Sequence, residues 1–313
     1  MRPYLSAVVP VYNEEDNLKP LFARLTKVLD EIGKPYEIVF TNDGSRDRSG
    51  HVLRELYAQR PENVRVIDFN GNFGQHMAIM AAFEYVRGDI VVTLDADLQN
   101  LPEDIPLLVA KIEEGFDVVG GYRRDRQDTW FRRNASRFIN MIRARITRIE
   151  MRDQGCMLRA YRRHIVDNIA TSGEVSTFIP ALAYSFAANP TEVEVSHAPR
   201  AAGHSKYHLY NLLRLNFDLM TGFSLVPLQV FTMLGFAVSL LSALLVVYLL
   251  LQRIFVGPEV QGVFTLFGIM YFLVGLGIFG LGIIGEYIGR IYLEVRKRPR
   301  FVIREVVQAR DDD

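Results

Sequence analysis

Through the N-terminal third of the chain, short apolar runs alternate with longer stretches whose apolar positions recur every three or four residues. The runs Leu5–Val11, Tyr36–Thr41, Val64–Phe69 and Ile90–Leu94 have the length and β-branched content of buried strands. Between them, Asp16–Ile32, Arg46–Gln59 and Gly74–Val86 carry helical spacing. That alternation predicts an α/β domain, Rossmann-like, with a mostly parallel sheet covered by helices on both faces. Ligands on such sheets bind at the carboxyl ends of the strands. Three polar clusters fall at those ends: Tyr12-Asn13-Glu14, Asn42-Asp43-Gly44-Ser45 and Asp95-Ala96-Asp97.

The C-terminal pattern is different. Leu219 to Gln252 holds no charged residue, and neither does Val260 to Gly285. Each exceeds the roughly 20 residues that cross a hydrocarbon core. A soluble core helix of that length would keep a polar face. The pattern predicts a two-helix transmembrane hairpin over 225–289, closed by the short link Arg253–Gln261. Arg290, Arg296, Lys297, Arg298 and Arg300 follow the second span, Lys206 and Arg214 precede the first, and the link holds only Arg253. The positive-inside rule therefore puts both termini and the α/β domain in the cytosol. Glycines crowd the second span, as expected of close helix packing within the hairpin or between subunits. In the tail, 290–313, Arg300–Val307 alternates like a strand, one that could pair with a neighbouring subunit.

Charge refines the picture locally. Lys+Arg and Asp+Glu both number 36, so net charge names no partner, and no nucleic acid is expected. Between Arg123 and Arg148, however, nine arginines accompany only Asp125 and Asp128 and alternate with Trp130, Phe131, Phe138, Ile139, Met141 and Ile142. Such a segment reads as a basic amphipathic helix on a membrane surface, over about 130–147, or else as a solvated helix. A second amphipathic stretch, Tyr207–Thr221, leads into the first span as an interfacial helix at 206–224. The single cysteine, Cys156, excludes an intrachain disulfide and fits a reducing compartment. Leu5–Val11 is too short for a signal peptide and contains Pro10.

The strongest chemical signal is Thr93-Leu94-Asp95-Ala96-Asp97-Leu98-Gln99. In an extended segment, carboxylates one residue apart share one side. They repel unless a cation sits with them. A hard divalent ion takes such oxygens together with substrate phosphates. The alternative is a helix N-cap pair after a strand. Asp43, in Asp-Gly-Ser, is either a turn and cap residue or an acceptor for an N–H of a base ring. Gly71-x-x-Gly74 lacks the Gly-Lys-Ser of a phosphate loop and reads as a loop-to-helix turn. The histidines share no zinc-type spacing.

Val9-Pro10-Val11-Tyr12-Asn13-Glu14-Glu15, Asn42-Asp43-Gly44-Ser45 and Leu94-Asp95-Ala96-Asp97-Leu98-Gln99 resemble the family 2 glycosyltransferases of GT-A fold. Arg200-x-x-Gly203-x-Ser205-Lys206-Tyr207 before two spans resembles the polyprenyl-phosphate glycosyltransferases, the group of dolichyl-phosphate mannose synthase. Gly71–Ala78, Arg126–Arg132 and Gly155–Arg163 are similar to the undecaprenyl-phosphate 4-deoxy-4-formamido-L-arabinose transferases of lipid A modification and polymyxin resistance.

The resemblance covers essentially the whole chain and implies a plan of parts. Residues 1–205 would be the cytosolic catalytic domain of a multi-pass bacterial inner-membrane enzyme, a homo-oligomer of up to four copies. Its partners would be a UDP-sugar, undecaprenyl phosphate and membrane lipids, and its cofactor Mg2+ or Mn2+. Pro10, Tyr12, Glu14, Asp43, Gly71, Gln75, Asp95 and Ala96 would bind the nucleotide. Asp95, Asp97 and Gln99 would hold the metal. Asp153 and Gln154 would sit near sugar and acceptor, and Arg126, Arg200, Ser205 and Lys206 would neutralise the diphosphate and the lipid phosphate. A phosphate monoester, with its second pKa of about 6, is already mostly ionised at neutral pH. It scarcely needs a general base, so orientation suits Asp153 better than proton abstraction. Rival readings are a glucosyl or mannosyl transferase to polyprenyl phosphate, a processive synthase, disfavoured for want of a Gln-x-x-Arg-Trp segment, and a non-catalytic membrane scaffold.

Overall fold

The computed structural model describes residues 2–123, 151–153, 155–172, 178–198, 221, 224–255, 263–296 and 298–309. The chain forms two units, one of residues 1–136, 149–206 and 298–313, the other of residues 137–148 and 207–297.

The first unit is built on an eight-stranded sheet. Its strands are β1 (Leu5–Val11), β2 (Tyr36–Asn42), β3 (Val64–Phe69), β4 (Ile90–Thr93), β5 (Val118–Arg123), β6 (Arg159–Arg162), β7 (Pro190–Val195) and β8 (Ile303–Val307). They lie in the order β7-β5-β6-β4-β1-β2-β3-β8. The β4-β1-β2-β3 centre is parallel, as the sequence pattern predicts, and β5 pairs in parallel with β7. β6 and β8 run antiparallel to their neighbours, so the sheet is mixed.

Two apolar layers cover it. β1 sends Leu5, Ala7, Val9 and Val11 into a cluster with Leu18, Leu21, Leu25 and Leu29 of α1 (Glu15–Ile32), Leu53 and Leu56 of α2 (Ser49–Gln59), and Leu108 and Ile112 of α4 (Ile105–Glu113). Alternation turns the buried Val8 to the other face. α3 (Gln75–Tyr85) packs against β1 and β2 and against α5 (Arg163–Thr171), which in turn meets α6 (Ile179–Phe186). Phe83 of α3 meets Tyr161 of β6 edge-on at 5.7 Å. The predicted boundaries hold within a residue for all four early strands, and within three for the early helices.

The tail strand is present and pairs antiparallel with β3 of the same chain. In chain order it follows the second unit, an insertion that local pattern could not place in the sheet.

The second unit contains α7 (Val226–Phe255) and α8 (Val263–Val295). Their large apolar side chains are bare: Phe236 is 74% exposed and Phe272 68%. A soluble core helix would bury them. Ile269–Leu293 is long and apolar enough to cross a membrane, with 6% of its window buried. Among the described residues of α7, the apolar stretch is the shorter Val226–Val238. Gly280 of α8 leaves room for the Phe231 ring of α7: a Cβ there would lie 1.9 Å from it. Gly275, Gly277, Gly282, Gly285 and Gly289 face open space. α8 runs beyond Gly285, where Glu286 pairs with Arg290 one turn on at 2.8 Å.

Candidate active site

The loops at the carboxyl ends of β1 and β2 hold one another by hydrogen bonds. Asn13 donates its backbone N–H to Ser45 Oγ (3.0 Å) and accepts from the Arg46 N–H through Oδ1 (2.8 Å). The Glu14 N–H donates to Ser49 Oγ (2.9 Å), and the Arg48 N–H to Glu15 Oε2 (2.8 Å). These bonds keep Asn13 at φ 57, a left-handed conformation that a short polar side chain tolerates better than most. Leu98 adopts φ 62. Among the described residues these are the non-glycine positions with positive φ, and both flank the predicted site. Strain of this kind concentrates at functional loops.

Asp43 leaves β2 and is 2% exposed. Its Oδ1 accepts the Phe73 N–H (2.6 Å), and its Oδ2 accepts the Gly74 N–H and the Asn72 amide (both 2.9 Å). Burial raises its pKa, and the two backbone donors oppose that rise. Sequence left Asp43 between a turn residue and a base-ring acceptor; the structure gives it a further task, fixing the loop Asn70–Gly74. Gly44 must be glycine: at φ +64 its Cβ would lie 2.4 Å from the Gly71 carbonyl carbon.

Asp95 and Asp97 follow β4. Asp95 accepts from the Gln75 amide through Oδ1 and from Asn100 Nδ2 through Oδ2 (3.2 Å). Burial, then the Asp97 charge, pushes its pKa up to about 7; Gln75 and Arg123 pull it down, and Glu14 adds a little upward. Asp97 turns Oδ1 to the Gln99 N–H at 3.1 Å. Among the described residues no group of three or more His, Cys, Asp or Glu could enclose a metal alone. The pair nonetheless fits a hard cation: two carboxylates close enough that the charge of one raises the proton affinity of the other, with room for the phosphate oxygens that would complete the ion's ligands.

Arg123, at the end of β5, grips Asp153 in a two-pronged pair, Nε to Oδ2 at 2.5 Å and Nη2 to Oδ1 at 2.9 Å. Asp153 is 4% exposed, and its Oδ1 also accepts the Gly155 N–H (3.0 Å). Behind it, the fully buried Arg159 donates to the Asp153 carbonyl (2.7 Å) and the Cys156 carbonyl (2.9 Å). Cys156 is a small buried apolar group, its thiol pushed up to about 11 by burial. His76 is stacked edge-on against Phe178 and held neutral by burial, its pKa lowered to about 4.

The sequence model of glycosyl transferase family 2 matches residues 6–170, a span that includes every loop just described. The chain is 50% identical to an undecaprenyl-phosphate 4-deoxy-4-formamido-L-arabinose transferase of Edwardsiella ictaluri (strain 93-146), over 99% of this chain and 96% of the relative. The protein of the same name in Serratia proteamaculans (strain 568) is 49% identical over 97% of this chain and 94% of that one. The chain belongs to glycosyl transferase family 2. A distant likeness is to glucosyl-3-phosphoglycerate synthase from Mycobacterium tuberculosis in complex with Mn2+, UDP and glucosyl-3-phosphoglycerate: 17% identity, 70% of this chain and 78% of that chain, TM-score 0.46.

In this family 2 chain, one neighbourhood unites several predicted residues. Asp95 meets Gln75 directly and lies within electrostatic reach of Asp97, Glu14 and Arg123, which holds Asp153. Pro10 is buried on β1 opposite Thr41, Ala96 is buried, and Tyr12 is 43% exposed. Gly71 lines the Gly44 turn. The Ala198 N–H donates to the Gln99 carbonyl at 3.0 Å, and His197 bridges to Asn100. Arg126, Gln154, Arg200, Ser205 and Lys206 lie outside the described residues, as do the amphipathic stretch 130–147 and Tyr207–Met220. Sequence reasoning missed Arg123 and Asn100. The signal for Arg123 was a cation closing the apolar run Val118-Val119-Gly120-Gly121-Tyr122, a strand end of the same kind as the others.

Proposed function

We propose that the chain transfers a sugar, 4-deoxy-4-formamido-L-arabinose, from its UDP donor to undecaprenyl phosphate at the cytosolic face of the bacterial inner membrane, in lipid A modification. The observation that carries the reading is the carboxylate pair at the end of β4, where Asp95 accepts from the Gln75 and Asn100 amides with the Asp97 charge beside it. Such a pair binds a cation that a nucleotide diphosphate shares. The name carried by relatives about half identical over nearly the full chain supports the donor and acceptor.

Pro10, Tyr12, Glu14 and Gly71 line the uridine, with Asp43 beneath its base. Asp95 and Asp97, with Gln99, would hold Mg2+ or Mn2+, which when bound would offset charge on the diphosphate. A lipid phosphate oxygen forms a bond to the anomeric carbon as the bond from that carbon to UDP breaks, with inversion. No proton need move, because the phosphate is already ionised. Asp153 orients the acceptor through Arg123; an acid with both oxygens in a two-pronged ion pair is a poor base. Arg126, Arg200, Ser205 and Lys206 counter the charges of leaving group and acceptor. α7 and α8 form a two-helix anchor, both termini are cytosolic, and the enzyme assembles as a homo-oligomer.

The test is incubation of purified full-length protein with undecaprenyl phosphate and a panel of UDP-sugars, with the lipid product weighed by mass spectrometry. A formamido-arabinose adduct is expected, abolished by chelation and restored by Mg2+ or Mn2+. A glucose or mannose adduct alone would overturn the donor assignment. UDP binding with no adduct from any donor would reduce the protein to a scaffold.

A further inference from the structure

The C-terminal strand does more than cover a sheet edge. Phe301, just before β8, stacks on Phe69 at 5.2 Å and 10°. Phe69, 1% exposed at the end of β3, meets Phe73 edge-on at 5.5 Å and 89°. The Phe73 N–H is the one that binds Asp43 Oδ1. Between them, the Asn70 N–H donates to the Val302 carbonyl at 3.0 Å. The pairing of β3 with β8 shifts register between Asp68 and Phe69, where the strand gives way to the loop; irregularities of that kind re-aim residues beside sites. A polar path runs in parallel. Arg54 binds both Glu305 (2.8 Å) and Asp68 (3.0 Å). Asp68 accepts from Asn42 Nδ2 (2.7 Å), and Asn42 Oδ1 receives the Ser45 N–H (3.2 Å). The tail thus holds the entrance of the loop Asn70–Gly74, and Asp43 holds its exit.

We propose that the C-terminal strand is a positioning element of the donor site: Phe301, through Phe69 and Phe73, sets the loop that receives the nucleotide, and Glu305, through Arg54 and Asp68, steadies the Asn42–Ser45 turn. The proposal rests on the reading of these loops as the UDP site. It explains why a segment following the apolar helices in sequence returns to the sheet beside the loop that Asp43 grips. Neither Phe301 nor Glu305 touches a reacting group.

The experiment uses the full-length protein in nanodiscs. It measures UDP affinity by calorimetry, and kcat and KM for donor and lipid separately. Phe301→Ala is expected to weaken UDP binding and raise donor KM about five- to tenfold, the worth of an aromatic pair. Its kcat and lipid KM should stay within about twofold, the signature of lost ground-state binding. Phe301→Tyr, which keeps the ring, should restore donor KM. Glu305→Gln should raise donor KM by about threefold, as expected for an exposed ion pair. Unchanged UDP affinity in Phe301→Ala, a loss falling on kcat alone, or no rescue by tyrosine would overturn the proposal. Should Phe301→Ala not fold, Glu305→Gln decides, and unchanged donor KM there counts against the strand. A wild-type protein that binds no UDP would sink the nucleotide reading and this proposal together; one that binds UDP as tightly as Phe301→Ala sinks the strand alone.

Discussion

Asp43 and Asp95 sit at the ends of neighbouring strand systems, and burial raises the proton affinity of both. Their surroundings answer that burial differently. Asp43 has two backbone N–H groups and an asparagine amide converging on it. Asp95 has two side-chain amides and, against them, the charge of Asp97. The first carboxylate is satisfied by the protein and organises a loop. The second remains electrostatically unfavourable until something positive arrives. Two acids that look alike in sequence therefore divide into a structural anion and a ligand-seeking one, and partners rather than depth of burial set the difference.

The sharpest way to break the comparison is to remove the acceptor of charge. Asp97→Ala should lower turnover by at least about a hundredfold, the scale for losing transition-state electrostatics, while leaving the fold intact. Steady-state assays with circular dichroism check both halves, and near-normal turnover would place the cation elsewhere. Asp43→Ala should instead act on the fold. It orphans the Phe73 and Gly74 N–H groups and costs about 3 kcal/mol of stability, read by denaturant unfolding, with UDP affinity falling alongside. Gly44→Ala strains the same contact without touching charge; a cost of about 2 kcal/mol is expected from its positive φ and the blocked approach of Gly71.

The pH dependence is the most diagnostic. Folded Asp95 keeps its proton to about pH 7, whereas the unfolded chain releases it near 3.8. The unfolded state binds fewer protons across that window. Metal-free stability contributed by Asp95 is therefore full below about pH 4 and is lost as pH rises through about 7. Asp95→Asn should flatten that slope in thermal melts. Added Mg2+ should raise the melting temperature of the wild type most above pH 7, where the ligand is ionised. A melting profile indifferent to the substitution would remove the frustration assigned to Asp95.

Much of the architecture was legible because the parallel core declares itself locally. Leu5–Val11 and Val64–Phe69 are buried on both faces, so apolar residues fill positions on both, broken only by Ser6, Arg65 and Asp68, and their bounds matched residue for residue. The later strands were harder to read. β5 contains Gly120 and Gly121, and β6 is the polar-looking Arg159-Ala160-Tyr161-Arg162, buried only because neighbouring carbonyls receive Arg159. Period-two patterning does not announce a strand whose arginine is satisfied from elsewhere in the fold.

By itself the sequence determined the α/β class, the strand-end acids, the family and the bare apolar C-terminal helices, because each depends on residues close together in the chain. Tertiary structure alone decided which acid is satisfied, that Arg123 claims Asp153, and that the tail strand lies on β3. Those outcomes turn on hydrogen-bond and charge partners tens to hundreds of residues apart, and burial makes each partner's presence or absence decisive.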